Sequence, residues 1–547
     1  MCKKVIYESI FEDLNINFEK LNQFKLENRE SRDKIFQRLN NIKILDPACG
    51  EGAFLIPAAQ ILHTIRHKLQ KSLGISIKES EIKKGIVKKN IYGVDSHENA
   101  IKNVKKKLYS WIFTNNEGNA DIPLNENNSR EVNKDLKLNR NLIVGNSLRD
   151  IFFPDLLSNG GFDIVIGNPP YIDSEEMTKS NSELRAFCSE KYKVAQGNWD
   201  VFCVFIELGL ERYLKDGGRL TYVIPNKLLS SEYARETRSL MKQYKIDCIR
   251  DYSGVDIFGV SVYPIVIFLR KEPNIGKEKV LVEKIGFSDA EEIKIMKSDE
   301  IDIEYFINND NWSISLDTDR KKIDLESKET IELGNFCEIY GAATVSEAYE
   351  IKKILKELEN EELSSYFKFI NTGTIDKHKK LWGIKKTRYI KKSYKKPIIL
   401  KDNLRKILPN RYDQAKSEKI IVAGLTKALE AVYDEGKYLA GKSTVIILNK
   451  KENNFNLRYL TALINSSIVS YIYKMEFGNL TLRGGYFRVG PPQIKRLKIP
   501  KKLLTDTSLK EKIIELLDIP DEDGSLKRID DIIFEILKCG NREKKII

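Results

Sequence analysis

Four consecutive residues, Asn168-Pro169-Pro170-Tyr171, combine hydrogen-bond acceptors, a rigid backbone and an aromatic ring. They follow an apolar run, residues 162–167, that predicts a buried strand ending in a polar loop. The Asn168 side-chain oxygen and the Pro169 carbonyl could each accept one hydrogen from an exocyclic amine, and Tyr171 offers a stacking face. This chemistry suits the amino group of a nucleobase. The alternative is a plain tight turn, because Asn-Pro commonly starts a turn and a second proline only stiffens the loop.

A second segment with chemical potential lies earlier, where a short apolar strand runs into Asp46 and then into a turn with Gly50 and Gly52. Glycines let the backbone approach a ligand closely, and the helix predicted from Ala53 to Leu69 presents free N–H groups at its start. The spacing differs from the GxGxxG of dinucleotide binders, whose glycines approach a pyrophosphate. Asp46 beside this turn instead indicates a cationic or amine-bearing ligand without phosphates.

Two further predicted strands end in polar residues. The strand predicted from Asn90 to Val94 is followed by Asp95, and an acid at this place usually binds the ribose hydroxyls of a nucleoside. The strand at residues 142–144 is followed by Gly145 and Asn146, whose amide could bond an adenine edge. In a doubly wound sheet these strand ends and the loop at 168–171 meet at one crevice.

The three motifs, DPACGEG at 46–52, GVD at 93–95 and NPPY at 168–171, occur in an order that resembles the adenine-N6 DNA methyltransferases of the gamma arrangement. These are the TaqI-like methylases of type II restriction-modification systems. The resemblance runs motif by motif over about residues 44–270 and more loosely to the end. It implies an α/β fold: a doubly wound, Rossmann-like domain dependent on S-adenosylmethionine (SAM), followed by a mixed α+β target-recognition domain. It also implies methyl transfer from SAM to N6 of a flipped adenine in duplex DNA.

The resemblance assigns cofactor contacts to matching positions. Asp46 and the two glycines would line the methionine and sugar part, Asp95 the ribose, and Asn146 the adenine. The family more often has Asp where this chain has Asn146, but an amide still accepts a hydrogen bond from the adenine amine. The full cofactor-binding set implied is Asp46, Ala48, Gly50, Gly52, Asp95, Asn146 and Asn168.

The catalytic roles follow from the same resemblance. Asn168 and Pro169 would hold the target N6 and Tyr171 would stack on its ring, with positioning and charge stabilisation carrying the rate. Phe258, which precedes an apolar strand at 263–269, corresponds to the place where the family supplies a second aromatic residue. The alternative for Phe258 is a core residue beneath a hairpin. No metal is required by this chemistry.

The chain departs from the family at its start. The gamma family opens with a Thr-Pro motif that contacts the cofactor, and nothing in residues 1–41 resembles it. This segment instead has a helical pattern. Two alternatives to an active DNA methylase therefore stay open: a catalytically impaired or split remnant that lacks an N-terminal fragment, and an RNA methyltransferase sharing the DPACGxG motif.

Composition limits the classes that remain. A chain of 547 residues is expected to hold two or three domains, and the formal net charge of +13 favours a polyanionic partner, although lysine-rich composition alone has other causes. Seven cysteines without a CxxC pair and four histidines argue against disulfides and zinc. The sequence has no signal peptide and no apolar run of transmembrane length, so we expect a cytoplasmic protein without membrane contacts.

The expected domains are a helical N-terminal extension at 1–41, the catalytic domain at 42–290, a linker at 291–330 and a DNA target-recognition domain at 331–547 that ends in helices. Residues 173–198 are predicted to be a loop.

In the last domain, residues 376–401 form a basic stretch interspersed with aromatic residues, which suits phosphate contacts, although a solvated lysine face is the alternative. Residues 478–490 resemble the recognition domains of TaqI-like methylases. The predicted DNA-binding residues are Lys385, Lys386, Arg388, Lys391, Lys392, Arg483 and Arg488. Double-stranded DNA is the expected partner, and a cognate restriction endonuclease is a candidate one.

Overall fold

The computed structural model describes residues 1–14, 29–72, 74, 77–113, 138–252, 255, 263–288, 292–312, 329–359, 362–452, 455–477, 481–482, 486–519 and 524–537. The chain forms two compact units, Met1–Trp312 and Ser313–Ile547. None of the helices in the described ranges is long and apolar enough to span a membrane.

The first unit is built on a nine-stranded sheet with the strand order β3-β2-β1-β4-β5-β7-β6-β8-β9. Strands β3, β2, β1, β4 and β5 run parallel to one another, and β7 is antiparallel to β5. This confirms the doubly wound sheet predicted from the sequence. The strands are β1 Ile44–Asp46, β2 Ile91–Asp95, β3 Leu142–Val144, β4 Phe162–Gly167, β5 Leu214–Pro225, β6 Tyr244–Asp251, β7 Pro264–Pro273, β8 Lys279–Phe287 and β9 Ile293–Asp302.

Helices cover both faces of this sheet because alternate side chains of a buried strand point to opposite sides. Ile164 and Ile166 of β4 pack with the first five helices. Val165, between them, lies on the side of the π-helical turn Leu208–Tyr213, where a side chain at Gly209 would collide with β5. The α-helices of this unit are Cys2–Phe11, Arg29–Asn41, Leu55–Ser72, Glu79–Lys89, Glu98–Phe113, Leu138–Asn141, Pro154–Ser158, Ser174–Ser180, Ser182–Lys191, Val201–Glu207, Arg235–Met241 and Ile303–Asn308.

The first helix, Cys2–Phe11, belongs to the catalytic unit. Its apolar side chains are buried in the same core as the helices that follow β1 and β2. Arg219 of β5, which is 5% exposed, forms ion pairs with Glu8 at 3.3 Å and Asp247 at 2.6 Å, and also contacts Glu12. The described part of residues 1–41 is helical, as predicted, but it packs into the first unit instead of extending from it, because burial and the Arg219 cation fix the first helix to the sheet.

The prediction of a linker at 291–330 is wrong for residues 292–312, which the structure describes. Strand β9 pairs antiparallel with β8 along its length, and the helix Ile303–Asn308 follows it. Trp312 is fully buried, and its backbone N–H donates to the Leu229 carbonyl at 2.7 Å. The compact unit therefore ends at Trp312 rather than at residue 290. Residues 173–198, predicted to be a loop, contain two helices.

The second unit is a mixed α+β structure, as predicted. One four-stranded sheet contains Cys337–Gly341, Thr444–Asn449, Lys419–Ala423 and Ala431–Asp434; the other contains Lys356–Glu357, Pro397–Leu400, Tyr366–Ile370 and Tyr438–Ala440. Smaller sheets pair Thr330–Glu332 with Lys498–Pro500, Ile375–Asp376 with Lys379–Lys380, Thr387–Tyr389 with Lys392–Tyr394, and Tyr486–Arg488 with Leu425–Thr426 and Thr481–Leu482. The helices are Val345–Ile354, Lys401–Ile407, Pro409–Lys416, Leu457–Asn465, Ser467–Phe477, Pro491–Lys495, Lys501–Thr505, Thr507–Leu517 and Ser525–Ile536.

Candidate active site

Asp46, the last residue of β1, is a buried carboxylate that is only half satisfied. It is 1% exposed, and its Oδ1 accepts a hydrogen bond from the Ala48 N–H at 3.0 Å. Among the described residues, Oδ2 has no hydrogen-bond partner. Burial, with a smaller contribution from the nearby Asp95, raises the pKa of Asp46 to about 8. Such a group requires a cationic or donor ligand to stabilise its charged form.

The turn after Asp46 brings the backbone to the second strand end. Gly50 and Gly52 have φ values of +51° and +85°, which other residues rarely adopt. A Cβ at Gly52 would lie 2.5 Å from Val104 Cγ2, so the close packing also requires glycine. The Gly50 N–H donates to Asp95 Oδ2 at 2.9 Å, and the His97 N–H donates to Asp95 Oδ1 at 2.9 Å. These bonds fix the Asp95 carboxylate at the end of β2.

The loop after β3 is tied to the loop after β1. Ser147 Oγ donates to the Pro47 carbonyl at 2.7 Å, which joins two loops that are 100 residues apart. The neighbouring Asn146 is partly buried, and its Oδ1 accepts from the Leu148 N–H at 3.0 Å. Asn146 therefore lies at the crevice predicted for it. Ser147 was missed by the sequence reasoning, because a bond over this separation leaves no local pattern.

The end of β4 completes the same crevice. A Cβ at Gly167 would lie 2.7 Å from Asp46 Oδ1, so the residue before Asn168 touches the buried carboxylate. The Tyr171 hydroxyl lies within hydrogen-bond distance of Asn168 Oδ1 and, at 3.0 Å, of the Val223 carbonyl. Burial raises the pKa of Tyr171, and the charge of Asp200 adds to this shift. The structure thus brings Asp46, Asp95, Asn146 and the 168–171 loop together at one edge of the sheet.

Asp200 holds the backbone just beyond this loop. It is 6% exposed, its Oδ1 accepts from the Ile172 N–H at 3.1 Å, and the Val201 N–H donates to the Ile172 carbonyl at 3.0 Å. Burial raises the pKa of Asp200 to about 6. The Tyr171 ring meets Phe202 edge to face with centroids 6.5 Å apart. Asp200 thus fixes the exit of the NPPY loop.

The remaining predicted residues lie elsewhere or outside the described part. Phe258 and Arg483 are outside the described residues. Arg488 is exposed on the strand Tyr486–Arg488 in the second unit. The other five predicted DNA-binding residues, Lys385, Lys386, Arg388, Lys391 and Lys392, are all exposed, in or beside the hairpin of Thr387–Tyr389 and Lys392–Tyr394. Within the described ranges, no group of three or more His, Cys, Asp or Glu side chains could hold a metal ion.

Three family models match the chain. The Eco57I restriction-modification methylase model matches residues 89–258, the TaqI-like C-terminal specificity domain matches residues 349–499, and the RMKL-like methyltransferase domain matches residues 38–121. The order agrees with the resemblance seen in the motifs. The first two matches fall in the first and second compact units respectively.

Curated relatives agree with these models. The type II restriction enzyme and methyltransferase RM.Eco57I of Escherichia coli is 27% identical over 370 residues, which are 60% of this chain and 34% of the relative. The chain thus spans about a third of that protein. The type II methyltransferase M.BstVI of Geobacillus stearothermophilus is 23% identical over 93% of both chains. The structure of the type IIL restriction-modification enzyme MmeI in complex with DNA shares the fold, with a TM-score of 0.57 at 13% identity over 100% of this chain and 76% of that one.

The matched methyltransferase models and the fold make SAM the cofactor, and the residues present fit it. A buried carboxylate oxygen without a partner at Asp46 suits the cationic methionine part, and a fixed carboxylate at Asp95 suits ribose hydroxyls. The sequence matches and their order make the chain similar to type II restriction-modification methylases of the Eco57I kind in its first unit and to TaqI-like C-terminal specificity domains in its second.

Proposed function

We propose that this chain methylates N6 of an adenine that has been extruded from duplex DNA, at a specific sequence. The observation that carries the proposal is the position of Asn168, which follows the residue in contact with the buried Asp46 carboxylate. An amide acceptor beside the expected cofactor pocket suits an exocyclic amine as methyl acceptor. The match to a specificity domain supports duplex DNA over RNA, and the match of the Eco57I methylase model to residues 89–258 supports a methylase over a remnant without catalysis.

In this proposal the protein acts by positioning. SAM supplies an electrophilic methyl group when bound. Asn168 Oδ1 and the Pro169 carbonyl accept the two N6 hydrogens, which returns electron density from the adenine ring to the nitrogen. Tyr171 and, outside the described residues, Phe258 enclose the ring. No general base is required before transfer, because the methylated nitrogen loses its proton readily afterwards. Extrusion of the base costs a few kcal/mol, which contacts in the pocket offset.

We propose the same cofactor-binding residues as the sequence predicts: Asp46, Ala48, Gly50, Gly52, Asp95, Asn146 and Asn168. Asp46 holds the methionine end and Asp95 the ribose. We assign catalysis to the first unit and DNA docking to the second, where Lys385, Lys386, Arg388, Lys391, Lys392, Arg483 and Arg488 are the proposed contacts. A cognate endonuclease that cleaves the unmodified sequence is the partner we propose. The E. coli relative is named both a restriction enzyme and a methyltransferase, so restriction and modification occur together in that protein.

The test is methylation of a random-sequence duplex library with SAM, read by sequencing that detects N6-methyladenine. We expect methylated adenines within one sequence context for the native chain and none for Asn168→Ala. A structured RNA supplied as the acceptor should stay unmethylated. Methylation of RNA alone, of cytosine, or of adenine by Asn168→Ala at the native level would contradict the proposal.

A further inference from the structure

The second unit contains a cleft of about 550 Å³. Four separate segments line it: the start of the helix Val345–Ile354, Asn371 after the strand Tyr366–Ile370, the hairpin of Thr387–Tyr389 and Lys392–Tyr394, and residues 442–443. Two bonds join these walls. Asn371 Nδ2 donates to the Arg388 carbonyl at 3.1 Å, and the Thr372 hydroxyl donates to the Ser443 carbonyl. The cleft is therefore an assembled feature of this unit rather than a gap beside a single loop.

The charge of the cleft is of one sign. Four of the lining residues are cationic, namely Arg388, Lys391, Lys392 and Lys442. No Asp or Glu occurs among the described residues that line the cleft. The hydroxyls of Tyr349 and Ser443 add neutral donors, and Tyr349 is 55% exposed. Lining of this kind offers hydrogen-bond donors and positive charge, which is the chemistry that binds phosphate.

The acidic side chain in the first turn of the helix Val345–Ile354 is already engaged. Glu347 pairs with Arg411 at 2.8 Å, and it accepts the Thr344 N–H at 2.7 Å as part of the helix cap. Both contacts hold the Glu347 carboxylate in place at the start of the helix. Glu347 therefore does not neutralise the cations of the cleft; the Lys392 ammonium lies over the Tyr394 ring, 5.0 Å from its centroid.

The hairpin that carries three of these cations has a strained turn. Ile390 and Lys391 have φ values of +40° and +65°, in the left-handed region that a two-residue hairpin turn requires and that Asn-Gly usually occupies. A β-branched residue at such a φ is an outlier. The buried rings of Tyr389 and Tyr394 anchor the two strands. Strain of this kind concentrates at functional sites, and here it lies in two residues that line the cleft.

We propose that this cleft is a phosphate clamp for the DNA backbone, in which Lys442 joins the hairpin cations although it lies outside the basic stretch of the sequence. The inference rests on the proposed action on DNA and deepens it, because it selects Arg388, Lys391, Lys392 and Lys442 as the contacts that act together. Lys385 and Lys386 do not line the cleft. The cleft recognises phosphate groups. We propose that these groups belong to the phosphodiester backbone of DNA and not to a free phosphate ion.

The test compares two single-charge variants of the full chain. Lys442→Gln removes one positive charge from the cleft. Lys406→Gln removes the charge of an exposed lysine in the same unit that does not line the cleft. Binding of a 30-base-pair random-sequence duplex is titrated over a range of salt concentrations. We expect Lys442→Gln to reduce the slope of log K against log salt by about 0.9, the value for one lost phosphate contact, and Lys406→Gln to leave it unchanged. Equal slopes for the native chain and Lys442→Gln would overturn the clamp.

Two further measurements distinguish DNA from small phosphate ligands, and the proposed clamp from the proposed methylation. Inorganic phosphate and deoxyadenosine monophosphate serve as small probes. Saturable binding of either that is lost in Lys442→Gln, with an unchanged duplex slope, would overturn the DNA clamp in favour of a small-anion site. Methylation is measured separately on the native chain. A reduced slope without any methylation supports the clamp and refutes the proposed enzyme, whereas methylation with an unchanged slope refutes the clamp alone.

Discussion

The Tyr171 hydroxyl carries one hydrogen and has two acceptors within reach, Asn168 Oδ1 and the Val223 carbonyl. Asn168 Oδ1 is also the atom that we propose to accept a hydrogen from the target amine. When an amine occupies Asn168, the tyrosine hydrogen can move wholly to Val223 without being left unsatisfied, so the exchange has a small energetic cost. Under the role proposed for Asn168, the NPPY loop can therefore release this internal contact when the substrate binds.

This relationship gives a graded prediction. Tyr171→Phe removes the competing hydroxyl but keeps the ring, so we expect kcat within about tenfold of the native value. Asn168→Ala removes the acceptor itself and should abolish methylation. Methyl transfer to duplex DNA is the measurement, and duplex affinity of both variants should match that of the native chain. A Tyr171→Phe variant as inactive as Asn168→Ala would show that the hydroxyl has a direct role.

The buried Asp46 should make folding and cofactor binding depend on pH in opposite directions. Because its folded pKa is raised from 3.8 to about 8, the folded state binds the proton more tightly than the unfolded chain. The resulting stability is fully present below about pH 4 and is lost as pH rises through 8. Asp46→Asn should therefore be more stable than the native chain at pH 8.5, by up to several kcal/mol, yet should fail to bind SAM.

Urea unfolding at pH 5 and pH 8.5, together with calorimetry for SAM, measures both effects. The exposed Asp155→Asn serves as the matched control. For the native chain, SAM affinity should increase with pH up to about 8, since a cationic ligand selects the carboxylate. An affinity that does not change over this range would remove Asp46 from the cofactor site.

The ion pair between Lys419 and Asp434 should dominate the stability of the second unit. Both side chains are 0% exposed and their charged atoms are 2.6 Å apart. Lys419 Nζ also donates to the Ala415 and Ser417 carbonyls, and burial lowers its pKa. Lys419→Met leaves a buried carboxylate without its main partner, which should cost about 3 to 5 kcal/mol.

The control for this pair is the exposed one between Lys437 and Glu435, whose side chains are 69% and 60% exposed. Lys437→Met should change the free energy of unfolding by no more than about 1 kcal/mol. Denaturant titration of both variants gives the comparison. If the two variants lose the same stability, the buried pair is not the anchor we describe.

The strained turn predicts a stabilising substitution. Ile390→Asn places a residue that tolerates positive φ where a β-branched one stands, and relief of backbone strain is worth about 1 to 3 kcal/mol. The melting temperature should rise, while the salt slope of duplex binding stays the same because no charge is changed. Ile384→Asn, at an 82% exposed position without positive φ, is the matched control and should have little effect. A lower melting temperature for Ile390→Asn would mean that its side chain contributes more to packing than its backbone costs.

Much of the first unit could be predicted because local pattern and strand chemistry agree there. Strand β3 and strand β4 have the bounds that the apolar runs predict, and β2 is displaced by one residue. The contacts that complete the site were not predictable. The bond from Ser147 to Pro47 and the clamp of Asp200 on Ile172 join distant segments, so neither produces a periodic signal. The identity of β9 was missed because an edge strand exposed on both faces lacks the apolar alternation of a half-buried one.

Strand β9 and Trp312 also determine where the second unit can be exchanged without loss of the first unit's fold. A chimera that joined this methylase unit to another recognition domain near residue 290 would remove β9 and leave a row of backbone donors and acceptors on β8 without partners. Such an open edge invites pairing with other chains and aggregation. It would also remove Trp312, whose buried indole packs edge to face on Phe306 and whose backbone N–H donates to the Leu229 carbonyl. Fusion points after Trp312 preserve both, so an exchange of the second unit at that point should leave the fold of the first unit intact.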